Sequence, residues 1–402
     1  MSMSIWRLCA AGALSGAALV SASTLLGACA SDESGATLDA DAAVSVPSAP
    51  DSAPPDEDAE AGPCTADDCE FFPDECTADA LCPNGPFDPV NPDRGMDWRT
   101  RINVIRGRSA SDVWLAGAVG AMAHFDGTSW SISDVGTKET QRVLWLRGAG
   151  AGEVAFGSFQ NVYTRGIGGG DADAAVSAGG WSVRDMPRAP DDFGFALRAS
   201  WGAPGSESLW LATDSTLWRM SLTPDSTFEI LPGIPSGACG VLRCNQILAI
   251  HGASEETIWA VGEHGTALRI TDADADEPVA TPFNSLTHVG LTAVWAASDT
   301  DVWAVGGTGT IRHYTGDAVR WEVVPNVPTT ENLNAVWGTS SSDVWVAGNG
   351  GLVLHFDGTS WSRLKIAGLG ARRPDLLTIW SPGPGKVWIG GYGVLLALGG
   401  NP

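Results

Sequence analysis

Basic residues are scarce in this chain. Lys and Arg together number 23 against 47 Asp and Glu, which gives a formal net charge of -24 over 402 residues. Proteins that bind nucleic acid need a basic face to neutralise the phosphates. The composition therefore predicts that nucleic acid is not a partner.

Residues that build long helices are scarce as well. Only 17% of the residues are charged, whereas Gly (50), Pro (24) and Trp (18) are abundant. Long amphipathic helices need periodic runs of charged residues, Leu and Ala, while short strands with tight turns need Gly and Pro. We expect a mostly β protein.

Common catalytic motifs are missing from the sequence. It contains neither G-x-S-x-G nor H-E-x-x-H, and no Cys–His pair is evident outside the cysteines assigned to disulfides below. The spacing of Gly306 and Gly309 is weak evidence for a phosphate site because no helix is predicted after it. We predict no enzyme activity and no cofactor.

Residues 1–28 have the pattern of an export signal, with Arg7 in a short polar start and then an apolar run of small residues. The sequence from Leu26 to Cys29 resembles the bacterial lipobox, which implies lipidation of Cys29, cleavage before it and a membrane partner through the lipid. An ordinary signal cut near Ala28 and a retained transmembrane helix are the alternatives. Because Ala30 rather than Asp follows, the resemblance implies the outer membrane of a Gram-negative bacterium.

Residues 29–62 are dominated by Ala, Asp, Ser and Pro and contain no aromatic residue. Such a segment cannot bury enough apolar surface to offset chain entropy, and its carboxylates repel one another. We expect a disordered acidic spacer that holds the folded part away from the bilayer. An acidic docking site is the alternative.

The cysteine count is even once the signal and the lipid site are set aside, and in an exported protein six cysteines predict three disulfides. Four lie in a Cys-rich segment, residues 63–95, where three pairings stay open, and the last two are close enough to bridge each other. The candidates are Cys64, Cys69, Cys76, Cys82, Cys239 and Cys244. A zinc site in the N-terminal cluster is the alternative.

One segment of the chain is repeated almost letter for letter. SDVWLAGAVGAMAHFDGTSW at residues 111–130 returns as SDVWVAGNGGLVLHFDGTSW at residues 342–361. Aligned on the recurring Trp, seven units of about 42 residues run from residue 102 to the C-terminus. The first six have four strand-like segments each, the seventh has three, and Asp-Gly pairs such as Asp126-Gly127 predict two-residue hairpins.

A four-stranded sheet with two apolar faces can bury both by stacking on its neighbours around an axis. The sequence therefore predicts an all-β fold, a seven-bladed β-propeller of four-stranded antiparallel blades over residues 96–402. Units such as DVWAVG and DGTSW resemble those of exported bacterial seven-bladed propeller proteins of the kelch-like and Asp-box-like kinds. That resemblance implies the fold and no catalytic residue.

The seventh unit ends after three strands, so the last blade needs a strand from elsewhere. The first candidate is Asp97-Trp98-Arg99, which resembles the Trp-bearing fourth strands but lies very close to Ile102. Residues 66–73 and an incomplete blade are the alternatives.

A Trp recurs at one position of the second strand in six units, and Ala155 is aligned with it in the other. Each Trp buries about 150–250 Å². We therefore expect packing between blades from Trp114, Trp210, Trp259, Trp303, Trp345 and Trp388.

The residues that close the first strands are the candidate ligand site, because first strands line the channel of a propeller. Cations beside aromatic faces favour a glycan or a protein ligand, with packing between blades as the alternative. These residues are Arg106, Arg147, Trp201, His251, Trp295, Trp337 and Trp380.

Two further groups of polar residues stand out. Asp272, Asp274 and Asp276 resemble part of a calcium loop, although they lack its glycine and distant Glu, and a solvated acidic loop is the alternative. Three histidines occupy one repeat position, which we interpret as structural because equivalent positions in different blades lie far apart. They are His124, His313 and His355.

These patterns predict a membrane-anchored, noncatalytic propeller lipoprotein that acts as a binding platform at the cell envelope for an unknown protein or glycan. A carbohydrate-active hydrolase or lyase on a propeller scaffold and an outer-membrane assembly scaffold are the alternatives.

Overall fold

The computed structural model describes residues 69–87, 95–148, 150–168, 175–187, 196–214 and 216–399. The predicted export signal, the predicted spacer, Cys29 and Cys64 lie outside the described residues. Among the helices within those ranges, none is long and apolar enough to cross a membrane.

The described residues form seven four-stranded antiparallel sheets, which confirms the predicted seven-bladed propeller. The first strand in the chain, β1 (Leu81–Pro83), belongs to blade 7. Blade 1 contains β2 (Ile102–Ser109), β3 (Asp112–Gly117), β4 (Met122–Phe125) and β5 (Trp130–Ile132). Blade 2 contains β6 (Val143–Leu146), β7 (Glu153–Phe156), β8 (Asn161–Arg165) and β9 (Trp181–Asp185). Blade 3 contains β10 (Leu197–Trp201), β11 (Ser208–Thr213), β12 (Leu217–Leu222) and β13 (Phe228–Ile234).

The remaining blades follow in chain order. Blade 4 contains β14 (Ile247–Gly252), β15 (Thr257–Gly262), β16 (Ala267–Thr271) and β17 (Val279–Pro282). Blade 5 contains β18 (Leu291–Ser298), β19 (Asp301–Gly306), β20 (Ile311–Tyr314) and β21 (Glu322–Val323). Blade 6 contains β22 (Leu333–Ser340), β23 (Asp343–Gly348), β24 (Val353–Phe356) and β25 (Trp361–Arg363). Blade 7 contains β26 (Leu376–Gly383), β27 (Lys386–Gly391) and β28 (Val394–Leu398), with β1 at its edge.

Helical structure in the described ranges is limited to short pieces. One α-helix, α1 (Ser236–Leu242), lies between blades 3 and 4 and was not expected from the sequence. Five 3₁₀ turns accompany it, at Cys69–Phe71, Ala118–Gly120, Cys244–Gln246, Glu263–Gly265 and Asn349–Gly351.

Blade 7 is closed by β1, a strand that none of the sequence alternatives named. Leu81 pairs with Leu398 and is fully buried, whereas Asp97-Trp98-Arg99 lies outside any strand. The three steps from Arg99 to Ile102 reach at most about 11 Å, less than the roughly 14 Å between the first and fourth strands of a sheet. Pro83 precedes Ile102 by 19 positions in the sequence, which is long enough for this crossing.

The Asp-Gly turns differ from the predicted two-residue hairpins. Four residues, 126–129, connect β4 to β5, and Gly127 takes the positive φ of 97°. The Asp126 carboxylate accepts hydrogen bonds from the backbone N–H groups of Thr128 (2.8 Å) and Ser129 (2.9 Å). The aspartate therefore stabilises the turn through its side chain.

The second-strand tryptophans are buried between blades, as predicted. They are 0–6% exposed, and the inner strands of neighbouring blades pack together, including β26 against β2, where the ring closes. In blade 2 the register corrects the alignment by one residue, because Trp145 pairs with Val154 as Trp337 pairs with Trp345. Val154, rather than Ala155, therefore stands in the tryptophan position.

Two of the predicted disulfide partnerships fall within the described residues. Cys239 and Cys244 bridge each other and tie α1 to the next 3₁₀ turn, as expected. Cys76 pairs with Cys82, which resolves one of the open pairings, and Cys69 is also disulfide-bonded.

Candidate functional site: the central channel

A cavity of about 940 Å³ lies at the centre of the propeller. Residues from the first strands of all seven blades line it, as the sequence predicted for the channel. Its volume lies in the range of about 300–1,000 Å³ that is typical of ligand sites.

The cross-strand register defines one level of this channel. In each blade one first-strand residue pairs with the second-strand tryptophan position, as Trp295 pairs with Trp303. We call the seven first-strand residues the channel ring. They are Arg106, Trp145, Trp201, His251, Trp295, Trp337 and Trp380.

Six of the seven sequence candidates belong to the channel ring, and Arg147 does not. Trp145 takes the ring position in blade 2, and Arg147 lies two residues further along the chain. Arg147 still lines the cavity, but its guanidinium donates to the Ala151 carbonyl at 3.1 Å and forms an ion pair with Glu207. The candidates were aligned on the glycine that follows most of them, such as Gly148 after Arg147. An alignment on the tryptophans of the first strands would have identified Trp145.

Glycines beside the channel ring allow two of its tryptophans to lie against the next blade. A Cβ added to Gly107 would meet the Trp380 ring at 2.4 Å, and one added to Gly338 would meet the Trp295 ring at 2.5 Å. Such contacts are far shorter than side chains tolerate. This packing role of the glycines was not predicted from the sequence.

His251 is held neutral within the channel ring. Its Nδ1 accepts a hydrogen bond from the Ala296 backbone N–H at 3.1 Å, so the ring proton resides on Nε2. The imidazole lies 5.6 Å from the Trp201 ring and meets Trp337 edge-on at 5.3 Å. Burial, together with the charge of Arg106, lowers the pKa of His251 to about 3.

Arg106 is the cation of the channel ring. Its guanidinium lies 5.6 Å from the Trp337 ring centroid and donates to the Ile105 carbonyl at 2.8 Å. Burial lowers its pKa to about 10, so it stays charged at neutral pH. No described residue that lines the cavity is acidic.

The neighbouring Arg108 has a different environment. It forms ion pairs with Asp112 and Glu153, both at 2.8 Å, and donates to the Arg147 carbonyl. Arg108 is therefore engaged in holding blade 1 to blade 2.

Of the three carboxylates proposed for calcium, Asp274 takes part in a different contact. The acidic loop packs on blade 3, with Asp274 accepting from the Ser208 hydroxyl at 3.3 Å and lying 3.9 Å from the Arg219 guanidinium. In the described part of the chain, no group of three or more Asp, Glu, His or Cys is arranged to hold a metal ion.

The three repeated histidines belong to structural units inside single blades. The Nε2 of each one contacts an aspartate at the start of the second strand, at 2.6–2.9 Å, and its ring lies on that strand's tryptophan. In blade 6 the aspartate is Asp343, which also accepts from Trp345 Nε1 at 2.9 Å. The pairs are Asp112–His124, Asp301–His313 and Asp343–His355.

Comparisons with known proteins identify the fold. No protein-family model and no curated protein matches this chain. YCF48 bound to D1 peptide is similar with a TM-score of 0.55 and 15% identity, covering 74% of this chain and 93% of that one. YCF48 from Cyanidioschyzon merolae gives 0.57 and 15%, with coverages of 74% and 95%. A streptogramin B lyase structure gives 0.54 and 14%, with coverages of 74% and 92%.

Proposed function

We propose that this chain is a noncatalytic binding protein of the cell envelope whose ligand enters the central channel. The observation that carries the proposal is the channel ring, in which five tryptophans, one arginine and one neutral histidine surround a cavity of about 940 Å³. Apolar and aromatic walls with a few oriented polar groups are the usual composition of a ligand site.

The channel composition argues against the hydrolase alternative. Glycoside hydrolases use a pair of carboxylates on either side of the scissile bond, and the described lining residues include no Asp or Glu. The described lining therefore lacks the carboxylates that such a hydrolase would use. Streptogramin B lyase has a similar fold at 14% identity, which carries no residue role to this chain.

A protein or peptide ligand has specific support. One similar structure is YCF48 bound to a D1 peptide, so a propeller of this shape holds a peptide in that case. A noncatalytic ligand site also agrees with the assembly-scaffold alternative, in which the bound peptide belongs to another envelope protein.

The envelope location rests on the N-terminal sequence. A lipid on Cys29 would hold the protein at the membrane, and the acidic spacer would separate the propeller from the bilayer. Labelled palmitate should be incorporated by the full chain and lost in Cys29→Ser. Equal labelling of the two would contradict the anchor.

The binding function is tested with residues 63–402, which form one compact unit. This fragment is applied to peptide and glycan arrays beside two variants, Trp337→Ala in the channel ring and Trp98→Ala as control. Trp98 is 58% exposed and lies outside the cavity lining. We expect retained ligands to be lost with Trp337→Ala and kept with Trp98→Ala. Binding that survives Trp337→Ala, or release of sugar products, would contradict the proposal.

A further inference from the structure

We propose that the channel recognises the carboxylate of a largely apolar ligand and that Arg106 is the residue that binds it. This inference rests on the proposed function of the channel as a ligand site. It adds the chemical class of the ligand and the residue that selects it.

Arg106 differs in its partners from two other half-buried arginines of the lining. Arg108 and Arg147 form ion pairs with carboxylates of the protein. The hydrogen bond found for Arg106 within the described residues goes to the carbonyl of its own neighbour, Ile105. A guanidinium has five N–H donors in a planar fork that matches a carboxylate. Arg106 therefore retains donors for a ligand.

The second argument is the charge of the lining. The chain carries 47 acidic and 23 basic residues, yet the described lining contains four arginines and no carboxylate. Burial lowers the pKa of Arg106 because its charge is partly desolvated. An incoming carboxylate compensates such a charge through short, charge-assisted hydrogen bonds.

The third argument is a second donor close to Arg106. His251 Nδ1 is occupied by the Ala296 N–H, so Nε2 carries the proton that a ligand oxygen can accept. Arg106 and His251 both contact Trp337: the guanidinium lies 5.6 Å from the ring centroid, and the imidazole is perpendicular to the indole at 5.3 Å. The two donors therefore meet at the same indole, where a carboxylate could accept from both.

The rest of the lining favours an apolar body over a sugar. Half-buried Leu248, Ala293 and Leu377 contribute apolar surface. The amide nitrogen of Asn103 already donates to the Gln141 carbonyl, and that of Asn334 to the Leu376 carbonyl. A buried sugar hydroxyl without a partner is costly. An apolar acid avoids that penalty, whether it is a small molecule or the C-terminus of a peptide.

The experiment measures binding to residues 63–402 by calorimetry with two matched pairs of probes. One pair is indole-3-acetate and indole-3-acetamide, and the other is the acid and the amide of N-acetyl-Leu-Phe. Each pair differs only in the charged group, and the pairs distinguish a small acid from a peptide terminus. Glucuronate serves as the sugar acid. Arg106→Gln removes the cation, Arg106→Lys keeps it, and Arg320→Gln is the control at an exposed arginine outside the lining.

We expect at least one acid to bind about tenfold or more tightly than its amide, the effect of one charged hydrogen bond. Arg106→Gln should abolish this preference, Arg106→Lys should keep part of it, and Arg320→Gln should leave it unchanged. Thermal unfolding of each variant checks that it is folded.

Several outcomes would overturn the inference. Equal affinity for an acid and its amide would show that the channel does not recognise the carboxylate. This measurement needs only the unaltered fragment. If Arg106→Gln still prefers the acid, Arg106 is not the residue that binds the carboxylate. If glucuronate binds more tightly than the apolar acids, the ligand is a sugar acid. If no acid binds, the inference fails, whereas the proposed function fails only if the arrays also retain no ligand through Trp337.

Discussion

Lowering the pH from 7.5 to 5.0 should destabilise the propeller through His251. In the folded protein this imidazole is 8% exposed, accepts a hydrogen bond at Nδ1 and lies near the Arg106 charge. Burial and Arg106 lower its pKa to about 3, against 6.5 for the unperturbed group. The folded pKa is thus below the unfolded one. The contribution of the neutral His251 to the stability of the fold is fully present above about pH 6.5 and is lost as the pH falls towards 3.

The magnitude follows from linkage between protonation and unfolding. At pH 7.5 the histidine is neutral in both states, and at pH 5.0 it is protonated almost only in the unfolded chain. The difference in the free energy of unfolding is about 2 kcal/mol. A loss of this size is large against a typical total stability of about 5–15 kcal/mol.

The assay is urea unfolding of residues 63–402 at pH 7.5 and 5.0, followed by tryptophan fluorescence. His251→Gln removes the titrating group, and His288→Gln is the control because His288 is exposed. The unaltered fragment and the control should each lose about 2 kcal/mol from this histidine between the two pH values. His251→Gln should lose about 2 kcal/mol less than the control. We call the three repeated groups Asp112–His124–Trp114, Asp301–His313–Trp303 and Asp343–His355–Trp345 the His–Asp–Trp units. Their aspartates lose their contribution to stability only below about pH 4, so they do not mask the effect of His251.

Two results would refute the reasoning. If His251→Gln and His288→Gln show the same change in stability between the two pH values, His251 is not held neutral by the fold. If His251→Gln loses more than the control, the folded pKa must lie above the unfolded one, which contradicts a buried imidazole beside Arg106.

Three further substitutions test the packing, each by urea unfolding at pH 7.5. Asp343→Asn should lower the free energy of unfolding by about 1–3 kcal/mol. Burial alone would raise the pKa of Asp343, but its hydrogen bonds, including that with His355, outweigh burial and lower it, so the stability they provide is present above about pH 4 and is lost as the pH falls. A variant as stable as the unaltered fragment at pH 7.5 would contradict this role of Asp343. Leu81→Ala should cost about 2–5 kcal/mol, since β1 closes blade 7, and an unchanged midpoint would mean that closure does not need this strand. Gly107→Ala should cost about 1–3 kcal/mol and shift tryptophan emission, because its Cβ overlaps Trp380, and an unaltered spectrum would contradict that contact.

The seven blades could be predicted from the sequence because repeated packing needs repeated residues. A buried tryptophan and a tight turn recur wherever the same sheet is built, so their spacing directly reports the period. The closing strand β1 could not be predicted in this way. Leu81, Cys82 and Pro83 form a strand because the free edge of β28 accepts them, and three residues contain no periodic pattern.

Only the histidines of the His–Asp–Trp units could be interpreted from the sequence. The histidines were recognised as structural, but their partners were missed because each pair joins two different strands. The separation is 12 residues in all three pairs, as from Asp343 to His355. Two antiparallel strands joined by a short turn place such residues side by side on one face. A constant spacing of Asp and His across repeats would have revealed the contact.

The polar groups of the channel ring occur where the blades differ in sequence. Seven identical blades would place the same residue seven times around the axis, and a ring of tryptophans offers one kind of apolar contact. Arg106 and His251 break that symmetry, and both contact Trp337. A partly desolvated cation and a neutral donor reduce stability in a channel that packing alone would fill with aromatic rings. Their presence at one indole is the observation that led us to propose binding of a carboxylate there.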